Sequence, residues 1–393
     1  MEEMGLELGS VVRSAGILMM EAIMREETGI LAGHRHDQTT NVDRWGSQSG
    51  YAMLSGQKIA IQRPRLRKKE GSEVVLKSYR KFQQNTERTQ AVYQRMAIGV
   101  SCRNYPEAME AIRDGYGISK SVVSREIVEA TGAQLRSLLE RDLSTFALRV
   151  LLIDGVRMGE AMFMVALGVD SEGNKQVMGF REAANENSEV GVHLFEDLVR
   201  RGLRTEQPIL SVIDGSKGLR LAIKRFFGST SPVQRCQVHK LRNVLSHLPE
   251  KYHATYRRKI QAAYLMKSYM DAERTLQSVI KELNFINHSA AESLAEGMEE
   301  TLTLHKLDVP PVLRISLAST NLIESTFARS RSVMRNVKRW KNSSQRQRWL
   351  ATALVEAEKK FRKIRGFKSM SVLLSALDGL GIANGLDSQQ LVA

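Results

Sequence analysis

Between residues 149 and 248, short apolar runs alternate with amphipathic stretches in an order that few folds accept. "RVLLID" (149–154), "AMFMVALGV" (161–169) and "KQVMGFRE" (175–182) read as strands, the last two joined by the hairpin turn "DSEGN". "SEVGVHLFEDLVRRGL" (188–203) reads as an amphipathic helix, "ILSVI" (209–213) as a fourth strand, and "KGLRLAIKRFF" (217–227) as a helix. "VQRC" (233–236) and "HKLRNVLSHL" (239–248) add a short fifth strand and a further helix. The order β-β-β-α-β-α-β-α predicts three meandering strands continued by parallel β-α-β units, a mixed α/β sheet flanked by helices. Sites in open α/β sheets form beyond the carboxyl ends of the strands. Asp154 ends the first strand and Asp214 follows the fourth, each in the wording Ile-Asp-Gly. Two readings stand: turn residues, or two carboxylates delivered to one sheet edge. Neighbouring carboxylates repel and call for a cation, and oxygen ligands select Mg²⁺ or Mn²⁺.

The charge balance narrows the partner. Lys and Arg number 58 against 43 Asp and Glu, a net charge of +15 over 393 residues. That excess favours a polyanion, nucleic acid ahead of an anionic membrane surface. No apolar run approaches the roughly 18 residues that span a bilayer. The acidic start "MEEMGLELGS" is not a secretory signal, and two cysteines, Cys102 and Cys236, build no disulfide framework. A cytoplasmic protein in a reducing compartment is expected.

Elsewhere the chain reads mainly as helix. Residues 5–29 carry Leu8, Val11, Val12, Ala15, Leu18, Met19 and Ile23 at helical spacing. Residues 32–80 are turn-rich and polar, with a short strand leading into the basic tract "QRPRLRKKEG", where Pro64 forbids a regular helix. Arg63 and Arg65 are either solvated or phosphate contacts. Residues 86–142 return to helix, and "AMEAIRDGYGISKSVVSREIVEATGAQL" has the organisation of a helix-turn-helix. Val122, Val123, Ile127 and Ala130 would face its core, with Lys120, Ser124 and Arg125 outward near the start of a recognition helix. Two packed helices joined by a glycine turn is the plainer alternative.

Residues 250–309 show only helical periodicity and read as an all-helical insert closed by Pro310-Pro311. The helix "STNLIESTFARSRSVMRN" follows. Its Glu324 fits a capping box with Asn321 as N-cap, or else a third acid for the site, with Arg331 seven residues on and on the same helical face. The stretch 324–368 then holds 14 Lys and Arg against three Glu.

"LLIDGVRM", "ALGVDSEGNKQVMGF" followed by "ENSEV", "VIDGSKGL", "RCQVHKLRNVL" and "STNLIESTFARSR", in this order and with a helical insert before the last, resemble the Mutator-type transposases of bacterial insertion sequences. The likeness covers nearly the whole chain. It implies membership of the DDE (Asp-Asp-Glu) recombinases, with a ribonuclease-H-like catalytic core. Implied boundaries are an N-terminal helix and basic region at 1–85, a helix-turn-helix-like domain at 86–145, the catalytic domain at 146–249 and 314–370, the insert at 250–313 and a tail at 371–393. Asp154, Asp214 and Glu324 match the family's catalytic and metal-binding acids, and Arg331 the basic residue that follows the glutamate. Cys236 and His239 match a Cys-x-x-His element near the site; two ligands are too few for a structural zinc, so a site-shaping role is expected. Many relatives carry a tryptophan in the insert, whereas residues 250–318 here hold none.

The resemblance implies two-metal phosphoryl transfer with Mg²⁺ or Mn²⁺, two ions per site: Asp154 bridging both, Asp214 and Glu324 each completing one. Lys217, Arg329, Arg331 and Arg335 would contact DNA phosphates. Double-stranded DNA is the expected partner, both as terminal inverted repeats and as target, with a homodimer holding the paired ends. Two alternatives are a metal-dependent nuclease that cuts without joining and a DNA-binding regulator without chemistry.

Overall fold

The computed structural model describes residues 2–33, 40–54, 57–84, 94, 120–183, 189–335, 337 and 339–390. The chain divides into two compact units, Met1–Ala133 and Gln134–Ala393.

In the first unit, helix α1 (Glu2–Ala32) precedes a three-stranded antiparallel sheet of β1 (Val42–Leu54), β2 (Gln57–Lys68) and β3 (Glu73–Val74), followed by the short helix α2 (Lys77–Phe82). Met24, Ala32, Ala52, Ile59, Ile61, Leu66, Leu76 and Tyr79 form its core. The residues that mark the helical period of α1, Val11, Leu18, Met19 and Ile23, are exposed instead. The structure corrects the reading of 32–80: β1 replaces the expected polar turns, and β2 is a 12-residue strand that runs through Pro64. Proline lacks the amide a ladder needs, and it is accommodated here at a bulge. The register slips between Arg44 and Ser47, where Gly46 takes a φ of +85°, and Pro64 stands opposite Ser47. Of the expected helix-turn-helix, the first helix and the glycine turn lie outside the described residues. The second is α3 (Lys120–Leu139), with Val123, Ile127 and Ala130 buried and Ser124 and Arg125 exposed.

The second unit is built on a five-stranded sheet in the order β6-β5-β4-β7-β8, from β4 (Leu148–Met158), β5 (Ala161–Asp170), β6 (Lys175–Ala183), β7 (Leu210–Ile213) and β8 (Val233–Arg235). β4 to β6 pair antiparallel, while β7 and β8 join parallel, giving a mixed sheet. Helices α4 (Glu189–Arg200) and α5 (Lys217–Phe227) make the crossovers, and Leu194, Phe195, Leu198, Leu219, Ile223 and Phe227 pack with Leu151, Ile153 and Ile213 of the strands. β4 is central, and every residue from Leu148 to Asp154 is buried, which explains its unbroken apolar run.

One boundary needs correcting. Asp154 does not end β4: the strand continues to Met158 in a hairpin with β5. Its parallel ladder with β7 does stop at Leu152 opposite Val212, so Asp154 stands just beyond that ladder.

Helix α6 (Gln237–Ser246) leads into the insert, which contains α7 (Glu250–Leu265), α8 (Tyr269–Asn284), α9 (His288–Ala295), α10 (Met298–Thr301) and α11 (Thr303–Lys306). Its core joins Val244 and Leu245 of α6 to Ile260, Ala263, Leu276, Val279, Leu283 and Leu294. α6 is therefore shared: its first turn borders the five-stranded sheet and its later turns anchor the insert. After α12 (Pro311–Leu317) come α13 (Asn321–Met334) and α14 (Ser343–Glu358), then a short 3₁₀ turn (Phe367–Ser369) and α15 (Met370–Gln390). Glu358 of α14 accepts from the Val177 amide at 2.7 Å and pairs with Arg141 at 2.7 Å, which fastens α14 to β6. Arg149 of β4 pairs with Asp378, so the last segment is a docked helix.

Candidate active site

Each candidate acid reaches the sheet edge by a local device. Asp154 is 8% exposed, and its Oδ1 accepts the Gly155 amide at 2.8 Å. Asp214 follows β7 directly and is exposed; its Oδ1 accepts the Ser216 amide at 3.0 Å, closing a turn. Gly215 within that turn has a φ of +108°, a conformation glycine takes at little cost. Ser216 then caps α5, accepting from the Leu219 amide at 3.4 Å.

Glu324 comes from the far side of the insert. Its capping-box reading is not what forms: Thr320 is the N-cap, without a side-chain cap bond, and Asn321 is the first helical residue. The Glu324 carboxylate is turned outward to Arg242 of α6, at 3.1 Å.

These elements converge. One ligand atom each from Asp154, His239 and Glu324 lies within 4.8 Å of the others. His239 sits on the first turn of α6, whose N-cap is Cys236; the Cys236 sulfur accepts the His239 amide at 3.5 Å. Thr320, 1% exposed, lies 3.5 Å from His239 Nδ1 and donates to Cys236 Sγ at 3.6 Å. Cys236 and His239 thus join the end of β8 to the start of α13. Sequence reasoning gave them a shaping role; the arrangement also places a His239 nitrogen among the carboxylate oxygens of Asp154 and Glu324.

The electrostatics follow from burial and crowding. Burial raises the Asp154 carboxyl above its ordinary range, and the charge of Asp214 adds to this, against the lowering effect of His239, Thr320 and the Gly155 amide. The hydrogen bond to Cys236 and the charges of Cys236, Asp154 and Asp214 push His239 up to about 9, against the opposing effect of its own burial. For Cys236, burial is the largest influence and raises the thiol, but hydrogen bonds with His239 and Thr320 together bring it down. Around neutral pH His239 is therefore a cation beside two acids. Metal capture by its imidazole requires that the proton leave.

The proposed DNA contacts fall in several places. Lys217 is exposed at the first residue of α5, three residues past Asp214. Arg329 and Arg331 lie on α13, but their side chains are outside the described residues, as is that of Lys120 on α3. Arg335 is exposed just after α13. Arg63 and Arg65 of the first unit both pair with Glu73, at 3.1 and 3.7 Å. Part of the basic C-terminal run is structural: Arg346 pairs with Glu182 and Lys363 with Glu172.

Thr320 and Arg242 were missed from sequence. Arg242 has a faint signal, one helical turn after His239. Thr320 has none outside the tertiary fold.

The chain thus builds a mixed α/β sheet, with a helical insert, in which Asp154, His239 and Glu324 are brought together beside the parallel strands. Comparison with known proteins makes this specific. Residues 6–364 match the family described as "Transposase, Mutator family", and the chain belongs to that family. It is 28% identical over 237 residues to the transposase for insertion sequence element IS6120 of Mycolicibacterium smegmatis, covering 58% of this chain and 72% of that one. It is 26% identical over 347 residues to the transposase for insertion sequence element IS256 in transposon Tn4001 of Staphylococcus aureus, covering 84% and 85%. Among the described residues, no helix is long and apolar enough to cross a membrane.

Proposed function

We propose that this transposase is a DDE enzyme with a ribonuclease-H-like core that cuts DNA at insertion-sequence ends and joins the freed 3′-hydroxyl to target DNA. The observation that carries the reading is the meeting of Asp154 and Glu324. They are 170 residues apart and separated by the whole insert, yet their carboxylate oxygens lie within 4.8 Å of each other and of a His239 nitrogen. Asp214 is not one of the three groups within 4.8 Å, but it follows β7, the strand beside β4, and its charge acts on both Asp154 and His239.

The donor set fits a hard divalent cation. Carboxylate oxygens suit Mg²⁺ or Mn²⁺, and a cation would offset the burial and the Asp214 charge that raise Asp154. Asp154, Asp214 and Glu324 would hold two such ions, with His239 a further ligand on the Asp154–Glu324 side. When bound, these ions supply charge neutralisation at the reacting phosphate. The remaining work belongs to the chain. Thr320 and Cys236 orient His239, the Gly155 amide fixes the Asp154 carboxylate, and the Ser216 amide fixes Asp214. Arg242 and Lys217 bind the DNA backbone at the rim. Arg242 then exchanges Glu324 for a phosphate oxygen, which leaves Glu324 to the cation. Such chemistry depends on in-line positioning more than on a proton-transferring side chain. A homodimer pairs the two ends, and the first unit supplies further DNA contacts through Arg63, Arg65, Ser124 and Arg125.

The test incubates the protein, beside Asp214→Asn, with labelled DNA carrying the element's ends, target plasmid, and Mg²⁺ or Mn²⁺. End cleavage and joined products from the wild type alone are expected. Cleavage without joining points to the nuclease alternative, and equal joining by both proteins overturns the site.

A further inference from the structure

Two buried cations lie just outside the acidic site, and neither is used by the chemistry above. Arg235 ends β8, opposite Ile213 in the parallel ladder with β7, and is 5% exposed. Lys240, in the second turn of α6, is fully buried. They bracket the Cys236–His239 segment on both sides. Both reach the same place, the C-terminal end of α9 in the insert. Lys240 Nζ donates to the Ser293 carbonyl and, at 2.6 Å, to the Glu296 carbonyl. Arg235 Nη1 donates to that same Glu296 carbonyl at 3.0 Å, and its Nη2 to the Glu296 carboxylate at 3.1 Å. The last carbonyls of a helix lack intrahelical donors and carry partial negative charge, so they suit buried cations.

Arg235 does more than cap a helix. Its guanidinium lies between two glycines. A methyl built on Gly215 would sit 2.6 Å from Arg235 Cζ, and one built on Gly297 would also collide with the guanidinium. Gly215 adjoins Asp214, while Gly297 follows Glu296 in the insert. Both hold positive φ, +108° and +65°. One rigid planar group therefore fills the gap between the Asp214 turn and the end of α9. A simple apolar contact would hold two elements together without the desolvation that buried charges cost. A planar fork hydrogen-bonded to Glu296 on one side and packed against Gly215 on the other also sets their spacing.

We propose that Arg235 is a positioning residue for cation binding: it sets the Asp214 turn against the end of α9, so the insert determines how well the acidic site binds its metal. This rests on the reading of Asp214 as a metal ligand. The insert then acts as a strut for the site, and any ligand that shifts α9 will alter metal affinity by the same factor as metal alters that ligand's binding.

The test is direct Mn²⁺ binding to the full-length protein, without DNA, read from the paramagnetic resonance signal of free Mn²⁺. Wild type, Arg235→Lys, Glu296→Gln and Asp214→Asn are compared, each with its melting curve. Arg235→Lys keeps the charge but loses the planar fork, and is expected to weaken Mn²⁺ binding about tenfold, the scale of lost support behind a ligand. Glu296→Gln removes only a half-exposed carboxylate; it should weaken binding about threefold and remains decisive if Arg235→Lys does not fold. If Asp214→Asn loses Mn²⁺ while Arg235→Lys, or in its place Glu296→Gln, binds like wild type, the positioning role is overturned and the acidic site stands. If Asp214→Asn itself binds like wild type, the site reading falls and the positioning role with it.

Discussion

Asp154 shows most clearly what the proposed acidic site costs the fold. It is a carboxylate on the central strand, buried and raised above its ordinary range by that burial and by Asp214. Its folded-state value exceeds its unfolded one, so the folded state holds the proton more tightly. The contribution of Asp154 to stability is therefore fully present at low pH and is lost as pH rises through the folded value. Asp154→Asn removes this cost. We expect it to raise the melting midpoint of the metal-free protein by about 2–4 °C, roughly what 1 kcal/mol does in a unit of this size, while abolishing strand transfer. A lowered midpoint in differential scanning calorimetry would contradict this. His305 provides the opposite sign. It is 2% exposed, its Nε2 lies 3.1 Å from the Met266 carbonyl, and burial with the nearby Arg314 charge lowers it to about 4. The unfolded chain protonates near 6.5 and the folded one does not, so stability is complete above about 6.5 and lost as pH falls towards 4. Up to about 3 kcal/mol is involved. Urea titrations across that range should show His305→Gln flattening the slope; an unchanged slope would place the acid sensitivity elsewhere.

At the scale of elements, some of the fold was legible and some was not, for physical reasons. β4 and β7 were readable because central strands buried on both faces are continuous apolar runs. The extension of β4 past Asp154 was not, because Ile-Asp-Gly also spells a turn; Gly155 instead pairs opposite Met164. β1 was invisible for a different reason. Asp43 to Ser49 are all exposed, so the strand has no apolar alternation and exists through its pairing with β2. Asp154, Asp214 and Glu324 were named through the resemblance to Mutator-type transposases, because from the wording alone the first two also read as turn residues and the third as part of a helix cap. The entry of His239 into the same cluster could not be read, because it depends on where α6 starts relative to α13. The insert is the element whose independence can be tested. Leu276 of α8 is fully buried in its core. Leu276→Ala should cost about 2–5 kcal/mol, and chemical denaturation should detect it. If α9 positions the site through Arg235, the same variant should also weaken Mn²⁺ binding before the sheet melts.

For the whole molecule, the net charge of +15 favours a polyanionic partner and says little of the chemistry. Part of that charge is spoken for, since Arg346, Lys363 and Arg242 pair with acids and Arg63 and Arg65 share Glu73. If Arg63 and Arg65 exchange Glu73 for phosphates, replacing both with Gln should lower the slope of log affinity against log salt by about 2. Fluorescence anisotropy on a duplex would measure it, and an unchanged slope would leave them as structural pairs. The central claim, that Asp154, Asp214, Glu324 and His239 share one cation-binding site, is tested most directly by Fe²⁺ substituted for Mg²⁺ with ascorbate and peroxide. Radicals generated at a bound ion cut nearby backbone. The expected fragments end near residues 154, 214, 239 and 324 and disappear with excess Mg²⁺. Cuts elsewhere, or at only one of these segments, would contradict a shared site.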